Sequence, residues 1–337
     1  LNGRRKDARS DRCQMQGKGK ASMPNFDFTA AGFLVLDILG RYADSMPPEG
    51  GAHFIEQIDM TVAGTAGGTA VACAILGLRG RIAARVGKDD MGDYLIRKMR
   101  SFGLETDLVQ IDESEQTSCS LLPIRSNGAR SAFFVPGTTR TFTMSDREID
   151  AALDARVVHL GGTGLLDAFD GERSTELLKR AKAVGRTTVF DLILANEETL
   201  EKVMPLLPFI DYFVPSIDEA AEMAGSREPE KVAEWFKNQG VKNAILTLEG
   251  EGAFISSEAG HSFRIPAHEI DVVDTTGCGD SFTAGIIAGL SKGWDIEKTA
   301  KFANAVAANV ALGLGSVGKL KSFDSAMQAM ETWPLRS

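Results

Sequence analysis

Val272-Val273-Asp274-Thr275-Thr276-Gly277-Cys278-Gly279-Asp280-Ser281-Phe282-Thr283-Ala284-Gly285 sets an acidic side chain on a glycine-rich turn that opens directly into a helix. Ahead of it, Ile270 to Val273 is a short β-branched run that reads as a buried strand; behind it, Phe282, Ile286, Ile287 and Leu290 recur at helical spacing. The turn is therefore expected to join strand to helix. Gly277 and Gly279 allow backbone N–H groups to approach an anion closely, and the first helical turn adds unpaired N–H donors and the positive end of the helix dipole. An anion in that cradle would repel Asp280, so its carboxylate suits a different neighbour, a hydroxyl awaiting deprotonation. A base for an alcohol beside donors for a phosphoryl group makes up both halves of a kinase site. The competing reading is a capped turn ahead of a core helix, which a lone Gly-x-Gly-Asp would favour.

From Asp274 to Gly285 the string Asp-Thr-Thr-Gly-Cys-Gly-Asp-Ser-Phe-x-Ala-Gly resembles the C-terminal signature of the ribokinase-like, or PfkB-type, carbohydrate kinases. The resemblance implies that Asp280 is the catalytic base and that the backbone of Gly277, Cys278 and Gly279 forms the anion hole. It also implies ATP and magnesium as cofactors, with Asp274 at a monovalent-cation site, potassium being the natural candidate. Cys278 stands where the family has a small residue such as Ala; with no histidine near it in sequence, its thiol reads as a space filler.

Length and composition narrow the field. A chain of 337 residues with 43% hydrophobic content can bury a substantial core, and no apolar run is long enough to span a bilayer. Cys13, Cys73, Cys119 and Cys278 are widely spaced, without a Cys-x-x-Cys pair or a histidine cluster, which points to a reducing cytoplasm and against a metal site of that kind. The net charge of −9 conceals an asymmetry: residues 1–22 carry seven Lys or Arg and two Asp, a net of +5, so the remainder carries −14. An acidic body argues against nucleic acid as a partner. The segment Leu1 to Ser22 has little apolar content and no periodicity, so it reads as a disordered basic tail or a leader ahead of Met23.

From Phe26 onward, short β-rich runs alternate with helical ones, among them Ala70 to Leu78, Ile82 to Val86, Val157 to Leu160, Thr187 to Phe190 and Ala244 to Leu248. That alternation predicts a three-layer α/β/α fold with a mostly parallel central sheet, in a single domain over residues 23–335. Phe54 to Val62 and Cys119 to Val135 break the rhythm as strands without intervening helices, the second folded at Ser126-Asn127-Gly128. They suggest a small antiparallel sheet inserted at about residues 41–62 and 117–136, ordinary surface hairpins being the alternative. In the family that the signature resembles, such insertions form a lid over the sugar and a homodimer contact.

Asp37 ends the apolar run Gly32 to Leu36 and so would sit at the carboxyl end of a first strand, where open α/β sheets bind ligands; it also matches the acid that the family uses for sugar hydroxyls. Gly64, Gly67 and Gly68 imply close backbone approach to substrate or to a neighbouring strand, and resemble the family's Gly-Gly segment except that Gly68 or Val71 stands where an Asn is usual. Asp90, in Val86 to Gly92, reads as a helix cap. Pro215-Ser216-Ile217-Asp218-Glu219 resembles the family's Pro-Asn-x-x-Glu, implying that Glu219 organises magnesium through water and that Ser216 assists on the nucleotide side. The same two residues also make a capping box. Thr247 and Gly252 fit the family's Thr-Leu-Gly-x-x-Gly phosphate loop, although Glu249 replaces its first Gly. Asn304, on a helix capped by Asp295, is raised by the resemblance to a nucleotide contact.

Two rival classes compete with a sugar kinase. The turn Gly161-Gly162-Thr163-Gly164 after Val157 to Leu160 suggests a dinucleotide-binding oxidoreductase, but the third fingerprint position is Asp167. The departures at Gly68, Ser216 and Glu249 suggest a catalytically silent sugar- or nucleotide-binding regulator, against which stands the retained Asp280. A nucleoside kinase of the same fold is the nearest alternative within the class. A Walker A loop is absent, which removes the P-loop NTPases.

Overall fold

The computed structural model describes residues 23–47, 49–126, 131–193 and 195–336; the basic segment Leu1 to Ser22 and the Asn127-Gly128 turn lie outside them. The chain begins with β1 (Phe26–Gly32), β2 (Val35–Arg41), β3 (Gln57–Ala63), α1 (Thr65–Ile75), β4 (Gly80–Gly87), α2 (Asp90–Ser101) and β5 (Glu105–Asp112). It continues through β6 (Cys119–Ile124), β7 (Phe133–Val135), α3 (Asp146–Ala152), β8 (Ala155–Thr163), α4 (Glu172–Ala183), β9 (Thr187–Leu192) and α5 (Glu197–Val203). The remaining elements are β10 (Tyr212–Phe213), α6 (Ile217–Ala224), α7 (Pro229–Asn238), β11 (Asn243–Thr247), β12 (Ala253–Ser256), β13 (Ser262–Ile265), α8 (Cys278–Ser291), α9 (Ile296–Ala311) and α10 (Phe323–Thr332).

Among the described residues, nine strands form one sheet in the order β13-β12-β11-β10-β9-β8-β1-β4-β5, parallel except where β12 and β13 turn back at one edge. Its inner strands are buried on both faces, which is why they read as continuous apolar runs. Alternate residues split between two cores. Phe28, Ala30, Val157 and Val189 face α1, α2, α8, α9 and α10, while Ala31, Val158, Leu160 and Phe190 face α4 to α7. The expected three-layer α/β/α architecture is therefore present.

A second sheet, separate from the first, has the order β3-β2-β6-β7. It is antiparallel at both flanks and parallel between β2 and β6. The register places Ile38 beside Met60 and Leu121, and Leu121 beside Phe133, so these side chains share one face; Asp37, Thr61, Ser120 and Phe134 share the other. The first face is open, with Ile58 67%, Leu121 50% and Phe133 58% exposed.

Three expectations need correction. Asp37 does not end a central strand: the chain turns after Gly32, whose φ of +125° and near contact with the Gly161 carbonyl exclude a side chain, and Asp37 then lies inside β2 of the lid sheet. Ile270 to Val273 is no strand. It has left the sheet after β13, Val272 is 50% exposed, and the Val273 N–H donates to the Ala311 carbonyl at 2.8 Å, at the end of α9. The cap of α2 is Asp89 rather than Asp90, since Asp89 Oδ1 accepts the Gly92 N–H at 2.8 Å while its Oδ2 accepts the Thr117 N–H at 2.8 Å. That second bond, to the segment entering β6, selects the earlier residue.

The turn between β11 and β12 carries a local conflict. Gly252 has φ +100°, and a Cβ there would lie 1.9 Å from the Ile265 carbonyl oxygen. Glu249, at φ 51°, is the single non-glycine residue with a left-handed backbone among the described residues. Such a conformation costs a side-chain-bearing residue roughly 1 kcal/mol, part of which Glu recovers by ordering the unfolded chain less freely than Gly. Glu249→Gly is thus expected to raise the melting temperature by about 1–2 °C in a calorimetric scan. A fall would mean that the Glu249 side chain makes a contact worth more than the strain.

Candidate active site

The turn ahead of α8 is held by one buried carboxylate. Asp274, 1% exposed, accepts at Oδ1 from the Thr276 N–H at 2.9 Å and the Thr276 hydroxyl at 2.7 Å, and at Oδ2 from the Gly315 N–H at 2.9 Å. Gly277 follows in the left-handed region at φ 75°, with Ser316 so close that a Cβ would lie 2.3 Å from its carbonyl oxygen. Cys278, Gly279 and Asp280 form the first turn of α8, whose N–H groups have no intrahelical acceptor. The Cys278 N–H donates to the Thr275 carbonyl at 3.2 Å, so an anion would share that donor. The Cys278 thiol packs toward α9, 3.7 Å from the Ala307 carbonyl, as a space filler does.

Asp280 rests on α1. Gly68 lies directly beneath it, where a Cβ would come 2.5 Å from Asp280 Oδ2, and the Thr69 hydroxyl donates to the Asp280 carbonyl at 3.1 Å. The expected glycines of the substrate segment therefore separate. Gly64 lines the cavity, whereas Gly67 packs against Leu34 and Gly68 supports the carboxylate from below. The Ala66 and Gly67 N–H groups at the start of α1 donate to the Phe33 carbonyl and are turned inward.

Glu219 and Ser216 make the expected capping box: the Ser216 N–H and hydroxyl donate to Glu219 Oε2 at 3.0 and 2.6 Å, and the Glu219 N–H donates back to Ser216 Oγ at 3.3 Å. Burial raises the Glu219 carboxyl above its ordinary range despite those bonds. Beside it stands a residue that the sequence reading missed, Asp191, 5% exposed at the end of β9. Its carboxyl is pushed well above the usual range by burial and then by the charges of Glu219 and Asp280. The signal was available, because Asp191 closes the apolar run Thr187 to Phe190 just as Asp37 closes its own. Crowded acids of this kind suit a divalent cation. Among the described residues no three His, Cys, Asp or Glu side chains are grouped so as to hold a metal by themselves.

Asp37, Ser120 and Phe134 of the lid, Gly277 to Asp280, Asp191 and Glu219 all line one cavity of about 910 Å³, at the large end of the size range of ligand pockets. Thr247, Glu249 and Gly252 of the β11–β12 turn line it too, as do Asn304, Ala307 and Ala308 of α9. Thr247 is fixed by its N–H bond to the Pro215 carbonyl at 3.0 Å, and Asn304 by a bond from Nδ2 to the Pro266 carbonyl at 2.9 Å. The rival dinucleotide turn fails on geometry. The Gly164 N–H donates to Asp170 Oδ2 at 2.8 Å, a Cβ on Gly162 would strike Phe33, and Asp167 pairs with Arg140 at 3.1 Å. A pyrophosphate would find those donors already taken by a carboxylate.

Comparison with known proteins shows the family and the fold. The chain is 24% identical over 297 residues, 83% of this chain and 92% of the relative, to the 2-dehydro-3-deoxygluconokinase of Bacillus subtilis. Among solved structures, the ribokinase of Arabidopsis thaliana complexed with ribose and ATP superposes with a TM-score of 0.75 at 22% identity, covering 91% of this chain and 99% of that one. A ribokinase II protein from E. coli in complex with ATP and magnesium gives 0.77 at 21% identity, covering 90% and 98%. The model of the pfkB family carbohydrate kinases matches residues 34–321, and the chain belongs to that family.

Proposed function

We propose that ATP-dependent phosphorylation of a small sugar takes place in this cavity, the acceptor against the lid and the nucleotide along the β11–β12 turn and α9. The observation that carries the reading is that Asp280, at the first turn of α8, shares one cavity with Asp37 of the lid. Asp280 accepts the proton of the attacking hydroxyl as its oxygen bonds to the γ-phosphorus and the bond to the ADP oxygen breaks. Amides of the Gly277 to Asp280 turn stabilise the charge on the transferring group, each well-placed donor contributing on the order of 3 kcal/mol. Asp37 accepts hydrogen bonds from vicinal sugar hydroxyls.

Asp191 and Glu219 would hold magnesium through its waters, with Ser216 keeping the Glu219 carboxylate aimed; when bound, the ion neutralises charge on the phosphoryl oxygens. Asp274, a buried carboxylate at the turn ahead of α8, would serve a monovalent cation such as potassium. The apolar outer face of the lid, with Ile58, Leu121 and Phe133 exposed, fits coverage by a second copy of the chain.

Asp280→Asn is expected to lower turnover by roughly 10²- to 10⁴-fold in a coupled assay of ADP formation, with sugar affinity largely kept. Near-normal turnover would reject the base assignment. The panel for that assay is ribose, fructose, ketodeoxygluconate and nucleosides: turnover confined to nucleosides would move the acceptor to that class, and ligand binding without turnover on any of them would make the protein a silent regulator.

Gly68→Ala forces the Asp280 carboxylate to move, and a displacement approaching 1 Å costs on the order of 10²-fold in kcat. Unchanged kcat in a variant that remains folded would show that the carboxylate position is not critical. Leu121→Glu together with Phe133→Glu is expected to turn a dimer into a monomer, read by light scattering on a sizing column. A monomeric wild-type protein would end the lid-interface reading.

A further inference from the structure

The cavity is short of positive charge for a site that takes a polyphosphate. Among the described residues that line it, Arg336 is the single Lys or Arg, against five carboxylates: Asp37, Asp191, Glu219, Glu249 and Asp280. A nucleoside triphosphate adds several more negative charges, and the turn expected to receive it, Glu249-Gly250-Glu251-Gly252, is itself acidic. A cation at that end of the cavity would have a large electrostatic effect.

Arg336 is also held in place. The segment Trp333 to Arg336 lies along Ala267 to Glu269: the Glu269 N–H donates to the Pro334 carbonyl at 2.9 Å, Leu335 pairs antiparallel with His268, and the Arg336 N–H donates to the Ala267 carbonyl at 2.8 Å. The Trp333 ring stands edge-on to the buried His268 at 6.1 Å. From this strip the guanidinium reaches across the β11–β12 turn, where Nη1 donates to the Gly250 carbonyl at 3.0 Å. One N–H of a planar five-donor fork is thereby anchored on an otherwise exposed side chain, which leaves further donors for an anion.

We propose that Arg336 is a phosphate-binding residue of the nucleotide site, one N–H fixing the Gly250 carbonyl and the rest of the fork taking phosphate oxygens of ATP and ADP. The inference rests on the nucleotide lying along the β11–β12 turn, as proposed above. A residue that only pinned the turn would affect every adenine ligand alike; a phosphate contact discriminates by phosphate content.

The test is calorimetric titration of the full chain, with magnesium and without sugar, against adenosine, AMP, ADP and ATP. Arg336→Ala is expected to weaken ADP and ATP by roughly 10- to 100-fold, the range for a charged hydrogen bond, while adenosine changes by less than about twofold. Arg336→Lys, which keeps the charge, is expected to recover part of that loss. Wild-type affinity for ADP and ATP in Arg336→Ala, or an equal loss for adenosine and ATP, would overturn the assignment and leave the kinase reading intact. A wild-type protein that binds no adenine nucleotide would overturn both.

Discussion

The clasp made by Asp274 is the constraint on which the site depends. Its carboxylate ties the turn ahead of α8 to the loop after α9, through Thr276 on one side and Gly315 on the other. That loop also meets the lid: the Ser316 hydroxyl is 2.8 Å from the Thr61 hydroxyl and 2.5 Å from the Val62 carbonyl, at the foot of β3. Ser316 in turn presses on Gly277. The anion-binding turn and the base of the lid thus share one buried loop, and a displacement at either is felt at the other. Hydrogen bonds to a buried charge contribute about 1.5–3 kcal/mol each, so this junction is stiff compared with the exposed outer part of the lid.

Around that stiff point the cavity holds an electrostatic conflict. Burial, and then the charges of Glu219 and Asp280, raise the tendency of Asp191 to hold a proton, and burial does the same for Glu219. An acid whose folded-state pKa is raised binds more protons folded than unfolded, so stability declines as pH rises from the ordinary carboxylate range toward the raised value. Above that window the ionised set destabilises the fold, and a bound cation recovers the loss by mass action. Stability is lower where a ligand is meant to bind.

How much of this was legible in the sequence depends on how local each signal is. The Ser216–Glu219 box and the Asp295 cap are set within three or four residues, and both appear as read. The parallel sheet followed from alternation, which survives errors at individual boundaries. Asp37 was misplaced because the apolar run around it belongs to a lid strand whose inner face is as buried as a central one, a difference made only by the turn at Gly32. Ile270 to Val273 has strand composition, but its Val273 N–H is taken by the Ala311 carbonyl at the end of α9 rather than by a strand. Asp89 displaced Asp90 because of Thr117, 28 residues away, and Arg336 reaches Gly250 across 86 residues. Contacts of that span leave no periodic trace.

The departures from the family pattern fall into two physical kinds. Glu249 occupies a backbone conformation meant for glycine, so the turn keeps its shape at the cost of strain, and the change adds a negative charge to the cavity wall. Gly68 does the reverse. It removes a side chain at a position where any Cβ would collide with Asp280, so the carboxylate sits lower against α1 than a larger residue would allow. Of α1 and its cap, Gly64 and Thr65 are the residues that line the cavity. The inner face of the lid brings Asp37 and Ser120 as polar groups and Leu122 and Phe134 as apolar ones to the same cavity. Asp280 and Asp37 thus stand on different elements, α8 and the lid sheet, and Ser316 joins the two through its contacts with Gly277 and Thr61.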